Sequence, residues 1–331
     1  MRIAYPELER QLCAHFQELG LVPEGARAMA EVILEAELEG NRGHGLTRVA
    51  QYTQQLRAGG LNPQPRMHLE QTRPSVAILH ADGAPGPVAG LRAVEALVPM
   101  ARSQGSGVLA VRNAGHVGVL SAYVSRLAQQ GLVALAFANT PPALAPGPVL
   151  GTNPIALGAP AHPQPVVVDA SLSVVARGKI IAAAKKGEPI PTGWALDKRG
   201  QPTTQAQAAL EGSLLPMGGG KGLALAVLVE ILAGALAGDV LSLELPLPWM
   251  PPEQAAKPGL LLMAFDPSSF GHHYPARVAQ LIQALQEAGG RVPGARRAAL
   301  REKALREGVE VEESLRVELG ELGLHIEGGN P

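Results

Sequence analysis

From about residue 75 onward, short apolar runs closed by turn residues alternate with stretches of helical periodicity. Residues 75–79, 107–111, 132–138, 166–168 and 260–264 read as strands. Residues 88–101, 120–129 and a stretch beginning near Lys221 read as helices. Such alternation confines this part of the chain to an α/β sheet domain. What precedes it has another texture. Pro6 suits the first turn of a helix carrying Leu8, Leu12 and Phe16, residues 26–38 and 47–58 repeat the helical pattern, and 62–65 (Asn-Pro-Gln-Pro) reads as a linker. Past Arg291 charge density rises, and 298–307 and 312–319 look helical again. The expected organisation is therefore a helical unit over 1–70, an α/β unit over 71–290, and C-terminal helices over 291–331 that pack back on the first unit.

Composition removes several classes of function. Formal net charge is -1, from 28 basic and 29 acidic side chains, which is too balanced for a broad nucleic-acid groove. Cys13 is the only cysteine, so no internal disulfide and no cysteine-rich zinc module can form, and a reducing cytoplasmic setting fits. The opening residues carry charge too early for a signal-peptide core. Residues 223–240 are the most apolar stretch, yet they contain Glu230 and Asp239 and fall short of the roughly 20 residues of a spanning helix, so a buried core helix is expected.

Several short motifs carry chemistry. Gly105-Ser106-Gly107-Val108-Leu109-Ala110 matches a dinucleotide fingerprint in letters, but a helix precedes and a strand follows. The fingerprint needs the reverse order, so the segment reads as a helix-to-strand turn. Gly218-Gly219-Gly220-Lys221-Gly222 opens the apolar helix. It is not a Walker loop, but free N–H groups, the positive helix end and the ammonium could converge on an anion. His116 follows a strand and precedes a helix, where α/β folds gather ligand sites; a solvated loop histidine has the same signature. His44, Arg48 and Tyr52 are spaced by four and share one face if a helix begins near 44, a set able to grip a carboxylate or simply to face solvent. His272-His273 lacks a second ligand pair, Ser121 and Ser171 lack a nucleophile elbow, and Arg177-Gly178-Lys179 reads as a solvated helix face.

Taken in order, these segments resemble the type 2 malate/L-lactate dehydrogenase family, whose relatives include sulfolactate and ureidoglycolate dehydrogenases and a cyclic-imine reductase. The resemblance runs from Gly43-His44-Gly45 with Arg48 and Tyr52 through Asn113…Gly115-His116-Val117-Gly118 and Asn139-Thr140-Pro141. It continues with Gly151-Thr152-Asn153-Pro154, Asp169-Ala170-Ser171, Gly193-Trp194, Gly219-Gly220-Lys221-Gly222 and Val292-Pro293-Gly294. It implies a homodimer with a non-Rossmann, mixed-sheet cofactor domain and a helical substrate domain. By the same resemblance His116 is the proton acceptor, and His44, Arg48 and Tyr52 line the substrate pocket. Thr140, Asp169, Ala170, Ser171, Lys221, Pro293 and Gly294 touch NAD or NADP, with no metal and no membrane involved. The implied reaction is hydride transfer between nicotinamide and a small 2-hydroxy or 2-keto acid such as malate or lactate. Reduction of a cyclic 2-imino acid, or NAD(P) binding without turnover, are the alternatives. The chain departs from the family pattern at Gly43, where a serine is usual, in a short loop over 145–149, and in Ala170-Ser171-Leu172-Ser173 after the aspartate.

Overall fold

A computed structural model of the protein describes residues 1–324 and 326, apart from 148, 239 and 248. Asp239 and one residue of the 145–149 loop therefore lie outside the described residues. A seven-stranded sheet forms the centre, in the order His68–Arg73, Val76–His80, Ser106–Arg112, Leu260–Phe265, Val133–Ala138, Ile155–Ala159, Val166–Ala170. Only the pairing of Val76–His80 with Ser106–Arg112 is parallel; every other pairing in the sheet is antiparallel. The sheet is thus mixed, as expected.

Strand alternation divides the sheet's two faces. Leu109, Val111, Leu260 and Leu262 point into one core with helices Gly86–Gln104 and Ser121–Gln129. Ala110, Phe137 and Leu261 point into the opposite core, under the helix that starts at Gly220. The fingerprint-like Gly105 is the left-handed cap (φ 78°) that ends Gly86–Gln104 just before strand Ser106–Arg112, so the helix-to-strand reading holds.

The apolar helix corrects one expectation. It runs as Gly220–Val229 and continues in wider π turns over Glu230–Gly238. By length and composition alone it could cross a membrane. It is not wholly buried: Gly222, Ala226, Ala233 and Ala237 pack inward, whereas Leu225, Leu228, Ile231 and Leu236 are exposed. Its small residues take the inner stripe because the backbone comes within contact of the sheet; a Cβ at Gly238 would stand 2.5 Å from the Gly259 Cα. Buried Glu230 accepts from Asn153 Nδ2 (2.7 Å) and from the Ser242 N–H and hydroxyl (both 2.6 Å).

A separate core joins helices Tyr5–Glu18, Pro23–Leu38 and Val49–Arg57 to the chain's far end. Leu8, Phe16, Met29 and Tyr52 share it with Val309, Val311 and Leu319. Arg2–Ile3 pairs antiparallel with Val309–Glu310, and Arg42 bridges Glu310 and Glu312. Each large side chain fully buried here contributes roughly 1.5–3 kcal/mol.

Candidate active site

The segment around residues 44–52 is not one helix. Two 3-10 turns, Arg42–His44 and Leu46–Arg48, precede helix Val49–Arg57, with Gly45 as the joint. The shared-face geometry expected from the spacing therefore arises by another route: the turns carry His44 and Arg48 toward the loop that follows strand Ser106–Arg112. That loop holds His116. Its backbone is tightly set, with Asn113 (φ 57°) and Gly118 (φ 73°) left-handed and Gly115 N–H donating to the Ala84 carbonyl (2.8 Å). Gly86 backs directly on it, since a Cβ there would lie 2.2 Å from the His116 carbonyl oxygen.

His116, His44 and Tyr52 meet. The two imidazoles stack with centroids 5.5 Å apart and planes 21° apart. The Tyr52 hydroxyl lies 2.8 Å from His116 Nδ1, and the Gly118 N–H donates to the same nitrogen (3.3 Å). Accepting at Nδ1 leaves the proton of the neutral ring on Nε2. His44 Nδ1 lies 3.4 Å from Asn41 Oδ1; in the tautomer that donates to this oxygen, Nε2 keeps a lone pair. Arg48 donates from Nε to the Gly43 carbonyl (2.8 Å) and from Nη1 to Gln51 Oε1 (2.7 Å).

Both histidines are partly exposed, yet protein crowds around them. Burial, and after it the Arg48 charge, pushes His44 down to about 3. Burial, then Arg48 and His44, holds His116 well below its ordinary range. Burial pushes the Tyr52 phenol up, with Arg48 opposing. At neutral pH the site thus presents two neutral imidazoles and one cation.

The residues expected to touch a dinucleotide form a second, contiguous group. Asp169 is the penultimate residue of strand Val166–Ala170, and its carboxylate accepts from the Ser121 N–H (2.8 Å), so it caps the helix that leaves the His116 loop. The Asp169 carbonyl accepts from Arg297 Nη2 (2.6 Å). Pro293 accepts from the Val167 N–H (3.3 Å), and Gly294 (φ 91°) lies against Val167, which brings Pro293 and Gly294 beside Asp169 and Ala170. Ser171 lies 3.1 Å, hydroxyl to hydroxyl, from Ser173. Leu172 N–H donates to the Thr152 carbonyl (2.8 Å), and the Thr152 N–H to Thr140 Oγ1 (2.9 Å). Met217 N–H reaches the Leu172 carbonyl (2.8 Å), which seats the glycine loop and Lys221 on this group. Lys221 is exposed and has no hydrogen-bond or ion-pair partner among the described residues.

The glycine loop fits an anionic group. Gly218 (φ 63°) and Gly219 (φ 64°) are left-handed, and nothing stands within 4 Å of a Cβ at Gly218, Gly219 or Gly220. First-turn N–H groups have no intrahelical partner, so an open cradle at this helix start suits a pyrophosphate. A cleft of about 500 Å³ lined by Val174, Leu215, Pro216 and these glycines adjoins it.

Sequence reasoning missed Asn41, Gln51 and Glu37, and placed Gly118 in a motif without giving it a role. Glu37 had a signal: it is a carboxylate in the apolar run of helix Pro23–Leu38, buried with its neighbours.

A family profile for malate/L-lactate dehydrogenases matches residues 3–320. The chain is 40% identical over 305 residues to the (2R)-3-sulfolactate dehydrogenase (NADP(+)) of Chromohalobacter salexigens, covering 90% of this chain and 91% of that one. The chain belongs to the malate/L-lactate dehydrogenase family. It is an oxidoreductase of that family, and the segments quoted above fall within the matched range. It is also 35% identical over 336 residues to the malate/(S)-sulfolactate dehydrogenase of Methanothermus fervidus, covering 98% and 99% of the two chains. The crystal structure of delta1-piperideine-2-carboxylate reductase from Pseudomonas syringae pvar. tomato superposes with a TM-score of 0.91 at 34% identity, covering 97% of this chain and 99% of that one.

Proposed function

We propose that this NAD(P)-dependent oxidoreductase moves a hydride between nicotinamide and C2 of a small 2-hydroxy or 2-keto acid, malate, lactate or sulfolactate in type. The carrying observation is the stacked pair of neutral histidines beside a guanidinium held rigid by Gly43 and Gln51. The substrates for which the relatives are named, sulfolactate, malate and piperideine-2-carboxylate, all place a carboxylate next to a C–OH or C=N carbon. A bound nicotinamide supplies the hydride acceptor or donor; the rest is the work of this chain.

Arg48 takes the carboxylate through charge-assisted bonds worth roughly 1.5–3 kcal/mol. Its carboxylate partner offsets the charge that depresses both imidazoles, so substrate binding raises their proton affinity. We assign the roles differently from the sequence expectation, which made His116 the acceptor. His44 Nε2, with its lone pair free, takes the substrate hydroxyl proton, and His116 Nε2–H, backed by Tyr52 and Gly118, donates to the substrate oxygen and orients it. Thr140, Asp169, Ala170, Ser171, Lys221, Pro293 and Gly294 line the dinucleotide side, with Lys221 and the glycine loop at its phosphates. The exposed apolar face of Leu225, Leu228, Ile231 and Leu236 supports a homodimer, which light scattering on the purified protein reads directly. A half-buried lone thiol at Cys13 suits the cytoplasm.

Reduction of a cyclic 2-imino acid uses the same carboxylate clamp and is the second reading, favoured by the fold match to the piperideine-2-carboxylate reductase. Nicotinamide absorbance with malate, lactate and sulfolactate, and with a cyclic imine, under NAD and under NADP, separates the two. Turnover with none of them, despite cofactor binding, leaves a non-catalytic NAD(P) binder.

A further inference from the structure

Glu37 belongs to no motif, and it sits under the substrate side of the site. Its Oε1 accepts from the Leu46 N–H at 2.8 Å. Gly45 rests on the same side chain: a Cβ there would stand 2.6 Å from Glu37 Cγ, Cδ and Oε1. Gly45 joins the two turns that carry His44 and Arg48, and the Arg48 N–H donates to the Gly45 carbonyl (2.9 Å). A displacement at this peptide moves both residues.

We propose that Glu37 is a positioning residue whose carboxyl, held beneath the Gly45-Leu46 peptide, sets where His44 and Arg48 stand against the substrate. The inference rests on the reading that these two residues face a carboxylate substrate. Glu37 itself reaches no substrate.

The protonation state of Glu37 matters to this arrangement. An ionised carboxylate has about four lone-pair sites, and the only hydrogen bond to the Glu37 carboxyl among the described residues comes from Leu46. Burial pushes the group up to about 7, with the Leu46 N–H and Arg42 opposing and Glu312 assisting. Arg42 and Glu312 are the charges that face it. Arg42 lies in the same turn as His44 and is held outward by Glu310 (2.9 Å) and Glu312 (3.1 Å). Ionised Glu37 competes for Arg42 and draws on the turn that carries His44. Substrate affinity therefore falls as pH rises through about 7.

Two variants test this with the full-length enzyme. Glu37→Gln keeps the acceptor and removes the charge. It is expected to match wild-type KM at acid pH and to lack the rise in KM above neutrality. Glu37→Ala is expected to raise KM about tenfold at every pH, with the NAD(P)H dissociation constant within about twofold of wild type in both. A purely structural role would lower the melting temperature and leave the pH profile of KM in place. An alkaline KM limb that survives Glu37→Gln overturns the proposal, as does a Glu37→Ala enzyme with wild-type KM; if the alanine variant does not fold, the glutamine variant decides. Failure of the reaction reading is separable. If no acid or imine turns over, the His44 Cε1–H resonance still reports on Glu37, because His44 itself stays neutral down to about 3. An inflection near neutrality is expected in wild type and in Glu39→Gln, which removes the other carboxyl that burial pushes up to about 7, and absent in Glu37→Gln. A flat wild-type titration, or an inflection that persists in Glu37→Gln, overturns the proposal.

Discussion

Arg48 commits Nε and one Nη1 hydrogen to the protein, which holds the guanidinium plane still and leaves an open edge for a carboxylate. Lysine keeps the charge but offers a point donor in place of that edge. Arg48→Lys is therefore expected to raise KM and also lower kcat, because reacting atoms must stay within about 3–3.5 Å, while cofactor affinity is kept. Wild-type values for both constants would take Arg48 out of the site. The two histidines separate in the same assay. His44→Asn is expected to cost about 10²–10⁴ in kcat as loss of the acid/base group, and His116→Asn only about tenfold as loss of an orienting hydrogen bond. The reverse ranking restores His116 as the acceptor. Both substitutions preserve size and polarity, so circular dichroism and NAD(P)H titration control for folding.

At the level of elements, the glycine loop and its helix are a single device. The cradle is open because three successive glycines carry no side chain, and Lys221 follows at the helix start. Lys221→Ala is expected to weaken NAD(P)H binding by about tenfold, in keeping with the loss of one charge-assisted contact of roughly 1.5 kcal/mol; fluorescence titration reads it. An unchanged dissociation constant with an altered substrate KM would refute this placement. The central strands were legible because they alternate between two cores and are closed by turns. Strand His68–Arg73 was not: it lies at the sheet edge and is polar and largely exposed, so no apolar run marks it. Strand Ile155–Ala159 hid for another reason. Its sequence is small and weakly patterned, and Gly158 is required because a Cβ would meet the Val124 carbonyl oxygen at 2.1 Å. Helix Tyr274–Glu287 was overlooked although Val278, Leu281, Ile282 and Leu285 repeat at helical spacing; none of its residues is fully buried. Within the site, His116 was singled out by the family resemblance, because its place after a strand suits a solvated loop histidine as well. The cap that Asp169 gives to helix Ser121–Gln129 was not, since it joins residues 48 apart in sequence through a backbone N–H that no side-chain motif announces.

The helical core and the sheet core meet at a largely buried charged junction around Glu39, and there the whole molecule should register pH. Glu39, at the end of helix Pro23–Leu38, accepts from the Ser121 hydroxyl (3.0 Å). Arg297 Nη1, from helix Ala295–Glu307, stands 3.9 Å from both Glu39 and Asp169. Four segments distant in sequence are thus pinned at one point. Burial, and then Glu35, pushes Glu39 from 4.5 up to about 7, with Arg297 and Ser121 opposing and Asp169 assisting. The folded state therefore holds a proton that the unfolded chain releases above its ordinary value. Stability from this group is complete below about pH 4.5 and is lost progressively as pH rises through about 7. The gap corresponds to about 3 kcal/mol. Glu39→Gln keeps an acceptor for Ser121 and cannot ionise. Relative to wild type, its unfolding free energy is expected to rise by up to about 3 kcal/mol between pH 4.5 and pH 8, measured by urea unfolding at a series of pH values. A difference between the two proteins that stays constant across that range would show that Glu39 is ionised in the fold and that Arg297, rather than a shared proton, holds the junction.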